Sequence, residues 1–366
     1  MTRPGLDKDL IDAAWANNVE LTRELIADGA DVNHKDSTQQ SAYLIATSEG
    51  YEELLDLTLQ HGADVTSLDS FNGTGLIRAA ERGHARVVGR LLQAGIDVNH
   101  INNLGWTALH EAIILGKGDQ RYDDTVRLLI AGGADPTIAT GEGVAPLRLA
   151  QDRSQHSIAA TIQTALDITP NRDPDTGLLD AAASGDADAA ASALAAGADI
   201  ESKDPSLRTP LLLAAANDHG DVARLLVALG ADPNALDDRH DTPWLVTGVT
   251  GSVEMAEILL TLKPDLTILN RFGGTSLIPA SERGHVDYVA RVVDTDIDIN
   301  HVNDLGWTAL METVLLGDGS EPYQRIVTIL LDAGADPSIA DRDGTTPAQH
   351  AQAAGHATIV ELLERR

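Results

Sequence analysis

Two copies of one small constellation stand out in this sequence: Phe71, Glu81, Arg82 and Trp106, then Phe272, Glu282, Arg283 and Trp307. Arg and Glu make directional, charge-assisted hydrogen bonds, and Trp and Arg are favoured anchors where surfaces meet. With only four Trp and two Phe in the chain, both Phe and half of the Trp fall into this pattern. The chemistry on offer is recognition. Tyr122 and Tyr323 form a further matched pair, each inside an enlarged segment, Gly116–Tyr122 and Gly317–Tyr323. Two readings compete for these tyrosines: a ring folded back over the lengthened loop, or a contact presented to a partner.

Bond-making chemistry finds little support. There is no Gly-x-x-x-x-Gly-Lys-Thr phosphate loop, no Gly-x-Ser-x-Gly and no His-Glu-x-x-His. The run Asp294-x-Asp296-x-Asp298-x-Asn300 has Ile299 and Leu305 where a calcium loop needs Gly and Glu. No cofactor, metal or catalytic residue is therefore expected. Glu111 and Glu312 each follow a Trp-Thr pair by one helical turn and are read as helix caps.

The elements that must position these residues are repeats. Glu81-Arg82-Gly83-His84, Asn99-His100 and Leu104–Leu109 recur as Glu282-Arg283-Gly284-His285, Asn300-His301 and Leu305–Leu310, every pair 201 residues apart. Inside that duplication runs a shorter period. Leu10, Tyr43, Leu76, Leu109, Leu147, Leu178, Leu211, Trp244, Leu277, Leu310 and Ala348 are 33 or 38 residues apart, except for the 31 between Leu147 and Leu178. The clearest unit reads Arg208-Thr209-Pro210-Leu211, Ala214-Ala215, Gly220-Asp221-Val222, Leu225-Leu226, Gly230-Ala231-Asp232.

This ordered pattern resembles the ankyrin repeat over nearly the whole chain, as about eleven units. The fold expected is all-α, a solenoid of helix-turn-helix units with projecting turns. Thr should cap each first helix, Gly83 or Gly220 should break the chain between helices, and Val and Leu at helical spacing should form the buried stripe. No unit can bury its apolar face alone, so neighbours must stack. His84 and His285 stand where the family commonly carries a structural His, and His100 and His301 read as turn hydrogen-bonding groups. The resemblance places target contacts on the turns and the exposed side of the first helix. Phe71, Glu81, Arg82, Leu104 and Trp106 occupy such positions, as do Phe272, Glu282, Arg283, Leu305 and Trp307. For Trp106 and Trp307 the plainer reading is packing on a neighbouring turn; for Glu81-Arg82 it is a solvated pair locking adjacent helices.

The organisation expected is repeats 1–5 over 1–166, a Pro-containing junction over 167–175, and repeats 6–11 over 176–366. The junction shortens the period by only two residues. One continuous stack with a local kink is expected, with two separately tumbling halves as the alternative. Leu178-Leu179-Asp180-Ala181-Ala182 echoes Leu10-Ile11-Asp12-Ala13-Ala14, as though an N-terminal cap had been carried inside the array.

A formal net charge of −30, from 26 basic and 56 acidic residues, argues against nucleic acid and anionic membranes as partners. It favours a basic protein, although part of the acid sits at recurrent turn positions such as Asp31, Asp64 and Asp135. A symmetric dimer would suit two duplicated sites. The chain starts without an apolar leader and contains no Cys, which fits a cytoplasmic, reducing setting. Ala-rich, Arg-over-Lys usage suggests a bacterial origin. The function expected is non-enzymatic protein–protein interaction, with small-molecule or peptide binding in the groove as the alternative.

Overall fold

The computed structural model describes residues 5–167 and 173–365. Among these residues lie 22 α-helices, two for each of the eleven units. Six of the first helices open on a capping Thr, and the helix Ala42–Glu49 opens on Ser41. The side chains of Thr74, Thr107, Thr209, Thr242, Thr308 and Thr346 accept the backbone N–H three residues on. That bond satisfies one of the otherwise unpaired donors at a helix start. The second helices carry the apolar stripe. In the helix Ala85–Gln93, Val87, Val88 and Leu91 are buried together, each worth roughly 1.5–3 kcal/mol relative to exposure.

The sharp turn between helices needs a left-handed residue. Gly83 supplies it at φ 67° and Gly284 at φ 75°. In the seventh unit the expectation for Gly220 is corrected: Asp218 takes the left-handed turn at φ 57°, and Gly220 begins the following helix, Gly220–Ala228. Asp tolerates that conformation better than most side chains.

Polar groups tie each unit to the next. The Nε2 atoms of His84, His219 and His285 lie 3.1, 3.1 and 3.2 Å from the carbonyls of Ser48, Ala183 and Val249. Asn99 bridges consecutive turns, donating to the Gly133 carbonyl at 3.2 Å and accepting from Asp135 N–H at 2.9 Å. Asn300 repeats this with Gly334 and Asp336. His100 and His301 reach the preceding turn, 2.8 Å from the Asn72 carbonyl and 2.6 Å from that of Gly273. The turn Asp residues bond their own backbone: Asp64 and Asp135 accept from the N–H and hydroxyl of Thr66 and Thr137, which holds both carboxyls below the usual range.

The chain forms two compact units. The first comprises residues 1–181, 186–200 and 224–230; the second comprises 182–185, 201–223 and 231–366. Within the first, second helices of later repeats pack on those of earlier ones. Arg127 Nε meets Asp188 Oδ1 at 2.8 Å, Arg224 Nε meets Asp124 Oδ2 at 3.2 Å, and Gln93 donates to the Ala228 carbonyl at 2.8 Å. Asp7 accepts from Asp31 N–H, and Asp175 accepts from Asp199 N–H, across the same 24-residue interval. The cap-like sequence of the sixth repeat thus makes the same bond as the first. Residues 168–172, which hold most of the expected junction, lie outside the described residues.

Candidate functional site

Each copy of the constellation sits beside a groove. In the first block, Asp69, Phe71, Arg78, Glu81, Leu104 and Glu111 line a cavity of about 150 Å³. In the second, Phe272, Pro279, Glu282, Arg283, Leu305, Trp307 and Glu312 line one of about 540 Å³. Phe71 and Phe272 are 54% and 52% exposed, Leu104 and Leu305 53% and 50%. Trp106 and Trp307 are half-buried, and of the two only Trp307 lines its groove.

The turn that carries Trp106 is built by Asn102. Its Oδ1 accepts from the N–H groups of Leu104 and Trp106 at 2.9 and 3.1 Å, and its Nδ2 donates to Glu111 Oε1 at 2.8 Å. Asn303 repeats every bond, to Leu305, Trp307 and Glu312. Glu111 and Glu312 are therefore not helix caps. Thr107 and Thr308 hold that position, and the carboxylates are buried at the floor of the grooves. Burial pushes both carboxyls up to about 7, with Glu81 adding to the effect on Glu111 and Glu282 adding to that on Glu312. These floor carboxylates are the residues that sequence reasoning misassigned. The repeated Asn102–Glu111 and Asn303–Glu312 interval was the available signal.

The two grooves differ in what neutralises them. In the first block Arg78 lies across the site, its Nε on Asp69 Oδ2 at 2.5 Å and its Nη1 on Glu81 Oε2 at 2.8 Å, with its guanidinium 5.5 Å from the Phe71 ring centroid. Arg82 pairs with Glu49 at 2.7 Å. In the second block the equivalents of Arg78, Asp69 and Glu49 are Pro279, Asn270 and Thr250. Glu282 and Arg283 make no ion pair among the described residues, although both face the groove. Arg271, which replaces Ser70, lies 4.6 Å from the Phe272 ring centroid and 3.5 Å from Asp241 at the rim.

The tyrosines point inward. The Tyr122 hydroxyl donates to the Glu81 carbonyl at 3.1 Å, and Tyr323 donates to the Glu282 carbonyl at 3.1 Å. Each ring packs under the end of the first helix that carries the Glu-Arg pair. The enlarged segments extend the following helices, Gln120–Ala131 and Glu321–Asp332, to 12 residues.

No helix among the described residues is long and apolar enough to cross a membrane. The family model described as ankyrin repeats (3 copies) matches residues 10–102, 43–140, 147–237, 178–268 and 244–341. An ankyrin repeat domain from Acinetobacter baumannii AYE is similar at 42% identity and TM-score 0.50, over 51% of this chain and 96% of that one. The ankyrin repeat protein EF0377 is similar at 36% identity and TM-score 0.51, over 52% and 98%. The ankyrin repeat protein YahD of Escherichia coli (strain K12) is 41% identical over 54 residues, which span 15% of this chain and only 27% of that relative. Ankyrin repeats generally mediate protein–protein interaction. From residue 10 to residue 341 its matched segments leave only six positions uncovered, and the chain belongs to the ankyrin repeat family.

Proposed function

We propose that this chain is a non-enzymatic protein-binding module that engages its target mainly through the groove of the second block. The observation that carries this reading is the combination at that groove of exposed apolar side chains, Phe272 and Leu305, with Glu282 and Arg283, which make no ion pair among the described residues. Apolar anchors surrounded by charged groups that await partners are what an interface requires. The first block presents the same Phe and Leu, but its charges are internally paired, so it serves as the weaker of two duplicated contacts. A basic partner suits the acidic chain, and a sequence without Cys suits the cytoplasm.

The test is capture of partners on the immobilised chain, followed by mass spectrometry, with Trp307→Ala, Trp106→Ala and the double variant compared by circular dichroism for folding. Trp307→Ala is expected to lose most of the captured partner and Trp106→Ala little. Full retention by a folded double variant would remove this reading.

The volume of the second groove, about 540 Å³, also lies within the range of small-ligand sites. A peptide or metabolite lodged there is the second reading. It predicts that a small-molecule fraction of a cell extract raises the melting temperature of the chain but not that of Trp307→Ala.

A further inference from the structure

Glu312 lines the second-block groove yet is only 5% exposed, on the helix Ala309–Leu316. Its carboxyl has one hydrogen bond among the described residues, from Asn303 Nδ2 to Oε1 at 2.8 Å. The Oδ1 atom of the same Asn303 accepts from the N–H groups of Leu305 and Trp307, each at 3.0 Å. One amide therefore joins a buried acid to the turn that presents the exposed Leu305 and the half-buried Trp307. The charged groups around Glu312 come from several elements. The helix Leu277–Glu282 and its C-cap bring Glu282 and Arg283, and the rim brings Arg239, Asp241 and Arg271, the last two 3.5 Å apart. On the far side packs the helix Pro347–Ala354, whose His350 Nε2 is already 2.7 Å from Asp341 Oδ2. The helix Glu321–Asp332 adds no described residue to the groove.

Burial is the largest influence on Glu312, ahead of the Asn303 bond, which favours the charged form, and of Glu282, which opposes it; the carboxyl stands at about 7. A partner side chain that enters between Leu305, Trp307 and Leu316 strips the remaining water from this acid, and desolvation penalises the charged form further. With three arginines already at the rim, those walls accommodate an apolar group better than a further cation. We propose that recognition at the second-block groove is proton-linked: Glu312 takes up a proton when an apolar side chain of the partner covers it. The bound state then holds a proton that the free protein has released above about pH 7. Affinity is therefore greatest below that pH and falls as pH rises through it.

This inference rests on the protein-binding reading above, and its test can fail independently. The full chain, labelled with ¹³C, is titrated with the neutral apolar dye N-phenyl-1-naphthylamine across a series of pH values. Dye fluorescence reads affinity, and the Glu312 carboxyl signal reads its protonation. At about pH 8 the dye is expected to move that signal towards its protonated position. Affinity should be roughly tenfold higher at about pH 5.5 than at about pH 9, which is what a tenfold gain in proton affinity on covering the groove produces. Glu312→Gln, neutral at every pH, should bind throughout with the low-pH affinity of the unmodified chain. If that variant does not fold, the carboxyl signal of the unmodified chain decides alone. A Glu312 signal that the dye leaves unmoved, no dye binding at low pH, or an unchanged pH dependence in folded Glu312→Gln would overturn the inference. If Trp307→Ala still loses the captured partner while the dye leaves Glu312 unmoved, the binding module stands and the proton linkage does not.

Discussion

Glu111 and Glu312 are the residues whose surroundings depart most from what their type prefers. Each is buried, anchored by one Asn amide, and faced by another carboxylate. With the folded carboxyl raised to about 7 from an unfolded value of 4.5, the native state holds a proton that the unfolded chain has released across that interval. Stability is therefore fully supported below about 4.5 and is lost as pH rises through about 7. Glu111→Gln and Glu312→Gln mimic the protonated side chain. Each is expected to raise stability at pH 8 by on the order of 2 kcal/mol and to change it little near pH 4, as read from urea denaturation at the two pH values. The same scale explains why Tyr122 and Tyr323 could not be assigned from their spacing. Period and offset place a tyrosine on an enlarged segment, but only the hydrogen bond to the carbonyl of Glu81 or Glu282 decides that the ring turns inward.

At the scale of the element, the helix that carries the Glu-Arg pair is built differently in the two blocks. In the first, the helix Gly75–Glu81 is capped by Thr74, and Arg78 N–H donates to the Thr74 carbonyl at 3.2 Å, its first internal bond. Pro279 has no N–H to make the equivalent bond. The helix shortens to Leu277–Glu282, and the Thr275 hydroxyl is buried without a partner. Pro279→Ala should restore the cap and the first turn, raising stability by about 1 kcal/mol in chemical denaturation. A proline that weakens the helix beside the groove, where the duplicate has Arg, is a local inconsistency that supports the proposed contact there. The Thr caps were legible because a cap is a local bond with a fixed three-residue reach. The left-handed turn at Asp218 was not, because Gly220 two residues later offered the stronger sequence signal for the same break.

At the scale of the molecule, the net charge of −30 sets how partners approach. A basic partner should associate faster at low salt, its rate falling roughly tenfold between about 20 and 500 mM salt as the field is screened within a Debye length. Stopped-flow measurement with the captured partner reads this directly, and a salt-independent rate would assign recognition to the apolar groove alone. Stacking depends on short polar bridges as well as on the apolar stripe. The Asn99 and Asn300 bridges, with the His84, His219 and His285 contacts, recur from repeat to repeat because each joins only adjacent units.

The sequence by itself determined the repeat, its period, the helix caps and the buried stripe, because these depend on interactions between residues close in the chain or exactly one unit apart. It also determined which residues are shared by the two blocks beyond what the repeat requires. Only the tertiary structure decided what those shared residues do. Glu81 and Glu282 are the same residue in the same repeat position, yet one is neutralised by Arg78 and the other faces an open groove. The difference lies in whether a cation three residues away along a helix bends across to meet a carboxylate, and in what volume remains when it is absent. Charge compensation and cavity volume are properties of groups assembled in space, which the order of residues states only once the chain has folded.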